Sequence, residues 1–324
     1  MKYGNIEGVP KPVSRIVQGT AFSGRDSNDD DYMLSLFDDA FEMGVTTFDM
    51  AHNYGGGEVE RTFGHWLRTR AVRDEVVILT KGAHHSQDRK RVTPFDIESD
   101  IHDSLARLGT DFLDIYLLHR DDESQAIGPI VAKLNEYHEK GVIGIYGGSN
   151  WSIERIQEAN AWAAANGADA FRASSPNFSL ADQIAVPWEG CMSISGPGNH
   201  DERAWYQEAQ LPLFTWSSLA GGFFSGRFRP DNLDSFKDYY DRVVVDFYCS
   251  EDNFERLARA QILALEKSLT VAQIAVAFIF NSPLDIYPLI ASRSSEELRQ
   301  NIEAMELPLS PAEMAWLDLL SDTR

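Results

Sequence analysis

The feature that most constrains the fold is a repeated order along the chain, in which a short apolar run is followed by a longer amphipathic stretch. Eight runs rich in β-branched and aromatic residues occupy residues 15–19, 45–49, 76–81, 112–119, 142–149, 170–174, 213–217 and 286–290. The stretches between them carry apolar residues at helical spacing, as in the segment from Met33 to Phe41. Several runs are apolar on both faces, which is typical of parallel strands covered by helices. The order predicts an α/β fold, a (β/α)8 TIM barrel.

Composition limits the class of protein and its partners. The 324 residues are 43% hydrophobic and contain no linker-like stretch, so residues 1–324 are expected to form one barrel domain. With 29 basic and 50 acidic residues the net charge is −21, which disfavours nucleic acid and anionic membranes as partners. No apolar run approaches the roughly 18 residues of a membrane span, and the first ten residues lack the apolar core of a signal peptide. With only two cysteines, the expected location is the cytoplasm.

Two segments break the regular alternation. Residues 175–210 and 218–251 are long and rich in glycine, proline and aromatic residues, and they follow the sixth and seventh predicted strands. Connections of that length in a compact domain usually serve a site. In a barrel of this kind the site lies at the carboxyl ends of the strands. We therefore predict long loops after strands 6 and 7 that border the site.

Helix start signals support the predicted alternation. Thr93 precedes a proline and is expected to cap a helix whose first position is Pro94. Ser310 and Glu313 have the spacing of a capping box, as do Ser294 and Glu297 directly after the last predicted strand.

Polar residues at the predicted strand ends form an acid–base set. Asp49, Lys81 and His119 each end a strand, and Tyr54 follows Asp49 by five residues. A tyrosine has a pKa near 10, and an ammonium about 4 Å away favours its ionised form by on the order of 4 kcal/mol at an effective dielectric of about 20. We expect Lys81 to lower the pKa of Tyr54 by up to about three units, less whatever burial takes back. Asp49 would hold the lysine, and His119 would orient a carbonyl oxygen.

Each of these residues also has a purely structural explanation. Asp49 could cap the next turn, and Tyr54 could be a packed aromatic with a bonded hydroxyl. Lys81 could be solvated, and His119 could be a hydrogen-bonded histidine of the rim. Their joint occurrence on successive strands favours a site.

The motifs around these residues resemble those of the aldo-keto reductases across nearly the whole chain. Residues 44–55 resemble the first signature of that family, with Met50 where threonine is more usual. Lys81 ends its strand where the family has its catalytic lysine, and Tyr-Leu-Leu-His at 116–119 matches the histidine strand. Gly-Gly-Ser-Asn at 147–150 is similar to the family's Gly-x-Ser-Asn. The resemblance implies that Tyr54 is the general acid and that Asp49, Lys81 and His119 are its catalytic partners.

The resemblance also implies a nicotinamide dinucleotide laid across the barrel rim, NADP(H) with NAD(H) possible. The residues expected to bind it are Gly19, Thr20, Asp49, Ser149, Asn150, Ser175, Trp216, Ser217, Leu219, Gly221, Ser292, Arg293, Ser294, Glu297 and Asn301. Trp216 would stack on the nicotinamide ring, and Ser175 stands where the family commonly has glutamine. No G-x-G-x-x-G fingerprint occurs, which disfavours a Rossmann dehydrogenase.

Physical chemistry supports the phosphate end independently of the resemblance. A capped helix N-terminus with serine hydroxyls and a guanidinium favours a phosphate group. Arg293 and Ser294 are therefore expected to receive the 2′-phosphate of NADP, although Glu297 adds an anion there.

The expected activity is reduction of an aldehyde or ketone, a sugar-type carbonyl included, by hydride transfer without a metal. The residues expected to line the substrate pocket are Phe22, His52, Tyr54, His119 and Trp151. The expected partner is thus a small carbonyl or alcohol, and the oligomeric state is left open.

Two alternatives stay open. Some relatives, such as the potassium-channel β subunits, keep this fold and act mainly through a partner, so a cofactor-sensing interaction module is one. A metal-dependent barrel hydrolase or isomerase using Asp49, His52 and His119 is the other. It would need further ligands at strand ends, and the sequence offers none.

Overall fold

The computed structural model describes residues 1–21 and 30–324. The strands are β1 (Tyr3–Gly4), β2 (Val13–Ser14), β3 (Val17–Gly19), β4 (Thr47–Asp49), β5 (Val77–Gly82), β6 (Leu113–Leu118), β7 (Ile143–Ser149), β8 (Ala173–Ser175) and β9 (Leu289–Ile290). The helices are α1 (Asp30–Glu42), α2 (Glu58–Arg70), α3 (Pro94–Leu108), α4 (Ile127–Glu139), α5 (Ile153–Asn166), α6 (His200–Ala209), α7 (Tyr239–Tyr248), α8 (Glu251–Lys267), α9 (Val271–Phe280), α10 (Ser295–Ala304) and α11 (Pro311–Leu317).

Seven of the strands form one parallel sheet in the order β8-β7-β6-β5-β4-β3-β9, and helices follow most of them along the chain, as in an α/β barrel. Seven of the eight predicted strands therefore lie in this sheet. The predicted strand at 213–217 is present only as isolated bridges, which join Leu213 to Ser174 and Ile286 and join Trp216 to Asn177. Its extended course ends at Ser217, whose φ of 49° turns the chain.

The sheet has an inner and an outer face, and the two faces alternate along each strand. Val77 and Leu79 of β5 belong to an inner apolar cluster, together with Ile115 and Leu117 of β6. Ile78, between them, belongs to the outer cluster that packs against the helices. The next inward positions are Lys81 after Leu79 and His119 after Leu117. The alternation therefore directs both polar side chains to the same end of the inner face.

A short hairpin of β1 and β2 packs at the opposite end of the inner cluster. Its strands are antiparallel, and Val13 is fully buried in that cluster. Lys11, just before β2, lies 2.7 Å from the buried carboxylate of Asp114, and Arg73 lies 3.0 Å from the same carboxylate. The strand ends that carry the predicted site lie away from this hairpin.

The two long segments contain helices as well as loops. Residues 175–210 include α6, and residues 218–251 include α7, so the prediction of long loops was wrong in these parts. Asp238 caps α7 by accepting a hydrogen bond from the backbone N–H of Tyr240. Both helices contribute to a third apolar cluster, through Tyr206 and Tyr248. Burial of those faces in this cluster explains why segments rich in turn residues still form helices.

The predicted helix caps are present, with one difference. Thr93 accepts from the N–H of Asp96, and Ser310 forms a complete capping box with Glu313. Ser294 accepts from the N–H of Glu297, but the Glu297 carboxylate accepts from the N–H of Arg293 and not from that of Ser294.

Helices α8 and α9 are adjacent and sharply bent relative to each other. Within the described residues, no single helix is both long and apolar enough to cross a membrane. This pair reaches that length and composition only when taken together, and its two helices meet at 100°.

Candidate active site

Asp49 and Lys81 form a buried ion pair at the carboxyl ends of β4 and β5. The ammonium of Lys81 donates to a carboxylate oxygen of Asp49 and lies 3.3 Å from the carbonyl oxygen of Met50. Both side chains are almost completely buried. Burial alone would lower the pKa of Lys81, but Asp49 and Tyr54 together raise it above its usual value. The lysine is therefore held as a charged ammonium inside the protein.

Tyr54 faces this ion pair from the short helical turn that follows β4. The Lys81 Nζ lies 5.3 Å from the centre of the phenol ring, and the ring of His119 meets it edge-on at 5.7 Å. The turn is tied to α3, because Arg107 donates to the carbonyl oxygen of His52 at 2.7 Å. Gly57 ends the turn with a φ of 96°, and a Cβ there would lie 2.5 Å from the Arg107 guanidinium. The close approach requires glycine.

The pKa of Tyr54 differs in direction from the sequence-based expectation. Burial raises it above its usual value, and Lys81 opposes this shift without reversing it. The expected net lowering was therefore wrong, because desolvation of the phenolate outweighs the attraction of the ammonium. Tyr54 is protonated at neutral pH, which is the form that can donate a proton.

His119 is neutral, and a second histidine lies against it. Burial, with the charge of Lys81, lowers the pKa of His119 well below its usual value. Its Nδ1 is buried and has no hydrogen-bond partner among the described residues. The ring of His84 meets that of His119 edge-on at 4.8 Å. Sequence analysis did not single out His84, although its position three residues after Lys81 was a usable signal.

Four further predicted residues come together beside the catalytic set. Ser149 donates to the carbonyl oxygen of Ser175 at 2.9 Å, and Asn150 accepts from the indole N–H of Trp216 at 3.0 Å. The Trp216 ring packs on the inner apolar cluster. The hydroxyl of Ser175 is buried without a partner among the described residues. A polar ligand such as a carboxamide would satisfy that hydroxyl.

The loop after Trp216 carries three more of the predicted cofactor residues. Ser217 and Gly221 both have positive φ, 49° and 63°. Leu219 is half-buried between two apolar clusters, and Gly221 is exposed. The loop therefore presents backbone to the surface, as expected of a segment that contacts a ligand through main-chain groups.

The remaining predicted cofactor residues lie along the edge formed by β3, β9 and α10. Gly19 approaches Ala291 so closely that a Cβ would lie 3.3 Å from its nitrogen. Thr20 donates to the carbonyl oxygen of Asp49 at 2.6 Å, which connects this edge to the catalytic set. Asn301 donates to the Ser292 hydroxyl at 3.1 Å, and both are buried.

Arg293, Ser294 and Glu297 surround the N-terminus of α10 and are exposed. Ser294 caps the helix, and the Glu297 carboxylate accepts from the N–H of Arg293 at 2.8 Å. The Glu297 carboxylate is thus held beside the Arg293 backbone, next to the groups expected to receive a phosphate.

Two of the predicted substrate residues lie elsewhere. The His52 ring lies 3.0 Å from Asp103 and 3.5 Å from Asp100, both on α3. Trp151 is 1% exposed and packs against Phe171 in the outer cluster, so the structure does not bring it together with the other predicted pocket residues. Asn150 has a φ of 61°, which breaks the strand alternation before Trp151. Phe22 lies outside the described residues.

The metal-site alternative finds no ligand cluster in residues 1–21 and 30–324. No group of three or more His, Cys, Asp or Glu side chains there is arranged to hold a metal ion. The His52 ring contacts Asp100 and Asp103 of α3.

Comparison with known proteins agrees with this geometry. The profile of the aldo/keto reductase family matches residues 15–322. A probable voltage-gated potassium channel subunit beta from Oryza sativa subsp. japonica is 26% identical, over 97% of this chain and 94% of its own. A putative aryl-alcohol dehydrogenase from Saccharomyces cerevisiae is 24% identical, over 93% and 80%. Norsolorinic acid reductase A from Aspergillus parasiticus is 24% identical, over 88% and 70%.

A solved structure shares the fold. The crystal structure of a thermostable aldo-keto reductase in complex with the inhibitor epalrestat superimposes with a TM-score of 0.73. The match covers 99% of this chain and all of the other, at 20% identity. The family profile spans the strands that carry Asp49, Lys81 and His119, and the chain belongs to the aldo/keto reductase family.

Proposed function

We propose that the protein is an NADPH-dependent oxidoreductase that reduces an aldehyde or ketone, including sugar-type carbonyls, with Tyr54 as the general acid. The observation that carries the proposal is the buried Asp49–Lys81 ion pair facing the phenol of Tyr54. When bound, the cofactor supplies a hydride to the carbonyl carbon. The family's oxidoreductase relatives support this class of reaction.

The protein's own residues handle the proton. Tyr54 donates its hydroxyl proton to the carbonyl oxygen, and the Lys81 ammonium stabilises the phenolate that results. Asp49 keeps Lys81 in place and charged. We assign the single proton of neutral His119 to Nε2. The buried Nδ1 has no hydrogen-bond partner among the described residues, and leaving a lone pair unsatisfied there costs less free energy than leaving an N–H unsatisfied. Nε2–H would then donate a hydrogen bond to the same carbonyl oxygen.

The residues present fit a nicotinamide dinucleotide. The unpartnered Ser175 hydroxyl, with Ser149 and Asn150, is suited to a carboxamide, and Trp216 offers a ring to stack on. Arg293 and Ser294 at α10 favour NADP(H), while the Glu297 carboxylate weakens that preference enough for NAD(H) to bind. We further propose that the sheet closes into an eight-stranded barrel through the bridges of Leu213. We also propose a cytoplasmic location, which the free thiols of Cys191 and Cys249 support.

The test is Tyr54→Phe. Reduction of a broad set of aldehydes and sugars should fall by about 100- to 10,000-fold, since one acid–base group contributes that much. Quenching of tryptophan fluorescence by NADPH should keep its midpoint, because the hydroxyl does not hold the cofactor. Unchanged turnover in the variant would defeat the role of Tyr54.

A second candidate is a cofactor-sensing interaction module with little turnover, which the similarity to potassium channel beta subunits favours. Multiple turnovers of an aldehyde by the wild-type protein would support the enzyme. A single slow oxidation of bound cofactor would support the module.

A further inference from the structure

Arg120 directly follows His119 and is a buried cation with no carboxylate partner among the residues that the structure describes. It is 6% exposed. One of its terminal nitrogens donates to the His119 carbonyl oxygen at 2.8 Å. In the described part of the chain, no carboxylate oxygen lies within 4.0 Å of its nitrogens. A buried charge is normally paired, because removing it from water is costly.

The other buried arginines show how this chain normally satisfies that rule. Arg155 lies 3.0 Å from Asp121 and 2.7 Å from Glu158. Arg256 lies 3.8 Å from Asp318, and Arg259 lies 2.7 Å from Glu255. Acidic residues outnumber basic ones by 50 to 29, so partners are plentiful. The exception is therefore specific to the position beside the catalytic histidine.

Arg120 lies beside a cavity whose wall includes Asn150 of the candidate active site. Its Cδ lies 3.5 Å from where a Cβ of Gly190 would stand. Burial is the main cause that lowers the pKa values of His84 and His119, and the charge of Lys81 adds to it at His119. The positive charge of Arg120 lowers both pKa values further. Gly190 and Asn150 both line a cavity of about 340 Å³. Two of the three acids of that cavity wall are paired, Asp121 with Arg155 and Asp122 with Lys90 at 3.6 Å, and the third, Glu123, is exposed to solvent.

We propose that Arg120 is an anion subsite of the active site and that the preferred carbonyl substrate carries a carboxylate. A guanidinium presents two parallel N–H donors that match the two oxygens of a carboxylate. The bound carboxylate would supply the counter-charge that residues 1–21 and 30–324 do not place beside Arg120. This proposal extends the proposed function. The preferred substrate rests on that function, whereas binding of a carboxylate at Arg120 does not.

The experiment compares an acid with its neutral ester. 4-Carboxybenzaldehyde and methyl 4-formylbenzoate differ in charge at the position remote from the aldehyde. In the wild-type protein kcat/KM should favour the acid by at least about tenfold, mainly through KM. In R120M the preference should disappear, and in R120K it should be reduced, because lysine keeps the charge but loses the fork. The matched control K90M removes a cation from the wall of the same cavity and should keep the preference for the acid.

Three results would overturn the subsite. These are no preference for the acid in an active wild-type protein, the same preference in R120M and R120K as in wild type, or equal loss in K90M. Should R120M fail to fold, R120K carries the comparison.

Binding separates this proposal from the proposed function. Benzoate, which cannot be reduced, should bind the wild-type protein at least about tenfold more tightly than R120K or R120M, measured by calorimetry. If no carbonyl is turned over but benzoate binding depends on Arg120, the proposed function fails and the subsite stands. Equal binding by all three proteins overturns the subsite even if turnover is normal.

Discussion

The two ends of the proposed dinucleotide groove hold their polar groups in different ways. At the chemical end, Asp49, Lys81 and His119 are buried at the ends of strands whose alternation fixes their direction. At the adenosine end, Arg293 and Glu297 are exposed at the N-terminus of one helix. Because the first set is buried, a substitution there strongly changes the remaining charges and the stability of the protein. Solvent screens the charges of the second set, so substitutions there have smaller effects. Changes at the chemical end should therefore have large effects, and changes at α10 should mainly tune binding.

The sharpest test of that contrast is Lys81→Met. Loss of the ammonium should lower kcat/KM by about 100- to 10,000-fold, because the phenolate formed at Tyr54 loses its nearest positive charge. It should also cost about 3–5 kcal/mol of unfolding free energy in urea, because Asp49 is left as an unpaired buried charge.

The matched control is the double variant Asp49→Asn/Lys81→Met. It should recover most of the stability and none of the activity. If the single variant is as stable as wild type, the two ends do not differ in the way described.

The pH dependence of stability tests the buried state of His119. Its pKa is lowered well below the usual value of about 6.5 by burial, so the folded protein stays unprotonated there while the unfolded chain takes up a proton. The stabilisation is thus present above about pH 6.5 and is lost as the pH falls. Between pH 7 and pH 5 the loss should be about 2 kcal/mol.

Urea unfolding of His119→Asn should show a correspondingly smaller fall over the same range. The exposed His65 provides the control, and His65→Asn should behave like wild type. A fall of equal size in all three proteins would show that other groups cause it.

The smallest expected effect is at α10. Glu297→Gln should tighten NADPH binding by about two- to fivefold, because a carboxylate near the phosphate is removed, and should leave NADH within about twofold. Arg293→Ala should act in the opposite direction, weakening NADPH more than NADH.

Glu296→Gln removes the same charge one residue away, where the carboxylate pairs with Arg299. Fluorescence titration should show a smaller change for it than for Glu297→Gln. Equal changes would mean that overall charge, and not the bond to Arg293, sets the affinity.

Sequence alone was sufficient where local periodicity decides the structure. Lys81 and His119 continue the inward positions of their strands, so their convergence follows from a period of two. The sequence was insufficient where contacts between distant parts of the chain decide the structure. The pKa direction of Tyr54 depends on how deeply the site is buried, and the direction of Trp151 depends on the turn at Asn150.

The same limit applies to Arg120 and to the long segments. A missing ion-pair partner is a property of the whole fold, so nothing next to Arg120 in the sequence could reveal it. In α7 the three consecutive valines at 243–245 do not favour a helix, and the helix is stabilised by burial of Val244 and Tyr248.

The alternation of inward and outward side chains along each strand also limits which insertions and deletions this barrel can accept in evolution. A single inserted or deleted residue within β5 or β6 would rotate Lys81 or His119 from the lumen onto the layer beneath the helices, and would move an apolar neighbour inward in exchange. Length changes in these strands should therefore be tolerated, if at all, in pairs. The connections that follow them are under no such parity rule, so new specificities can arise there by insertions of any length.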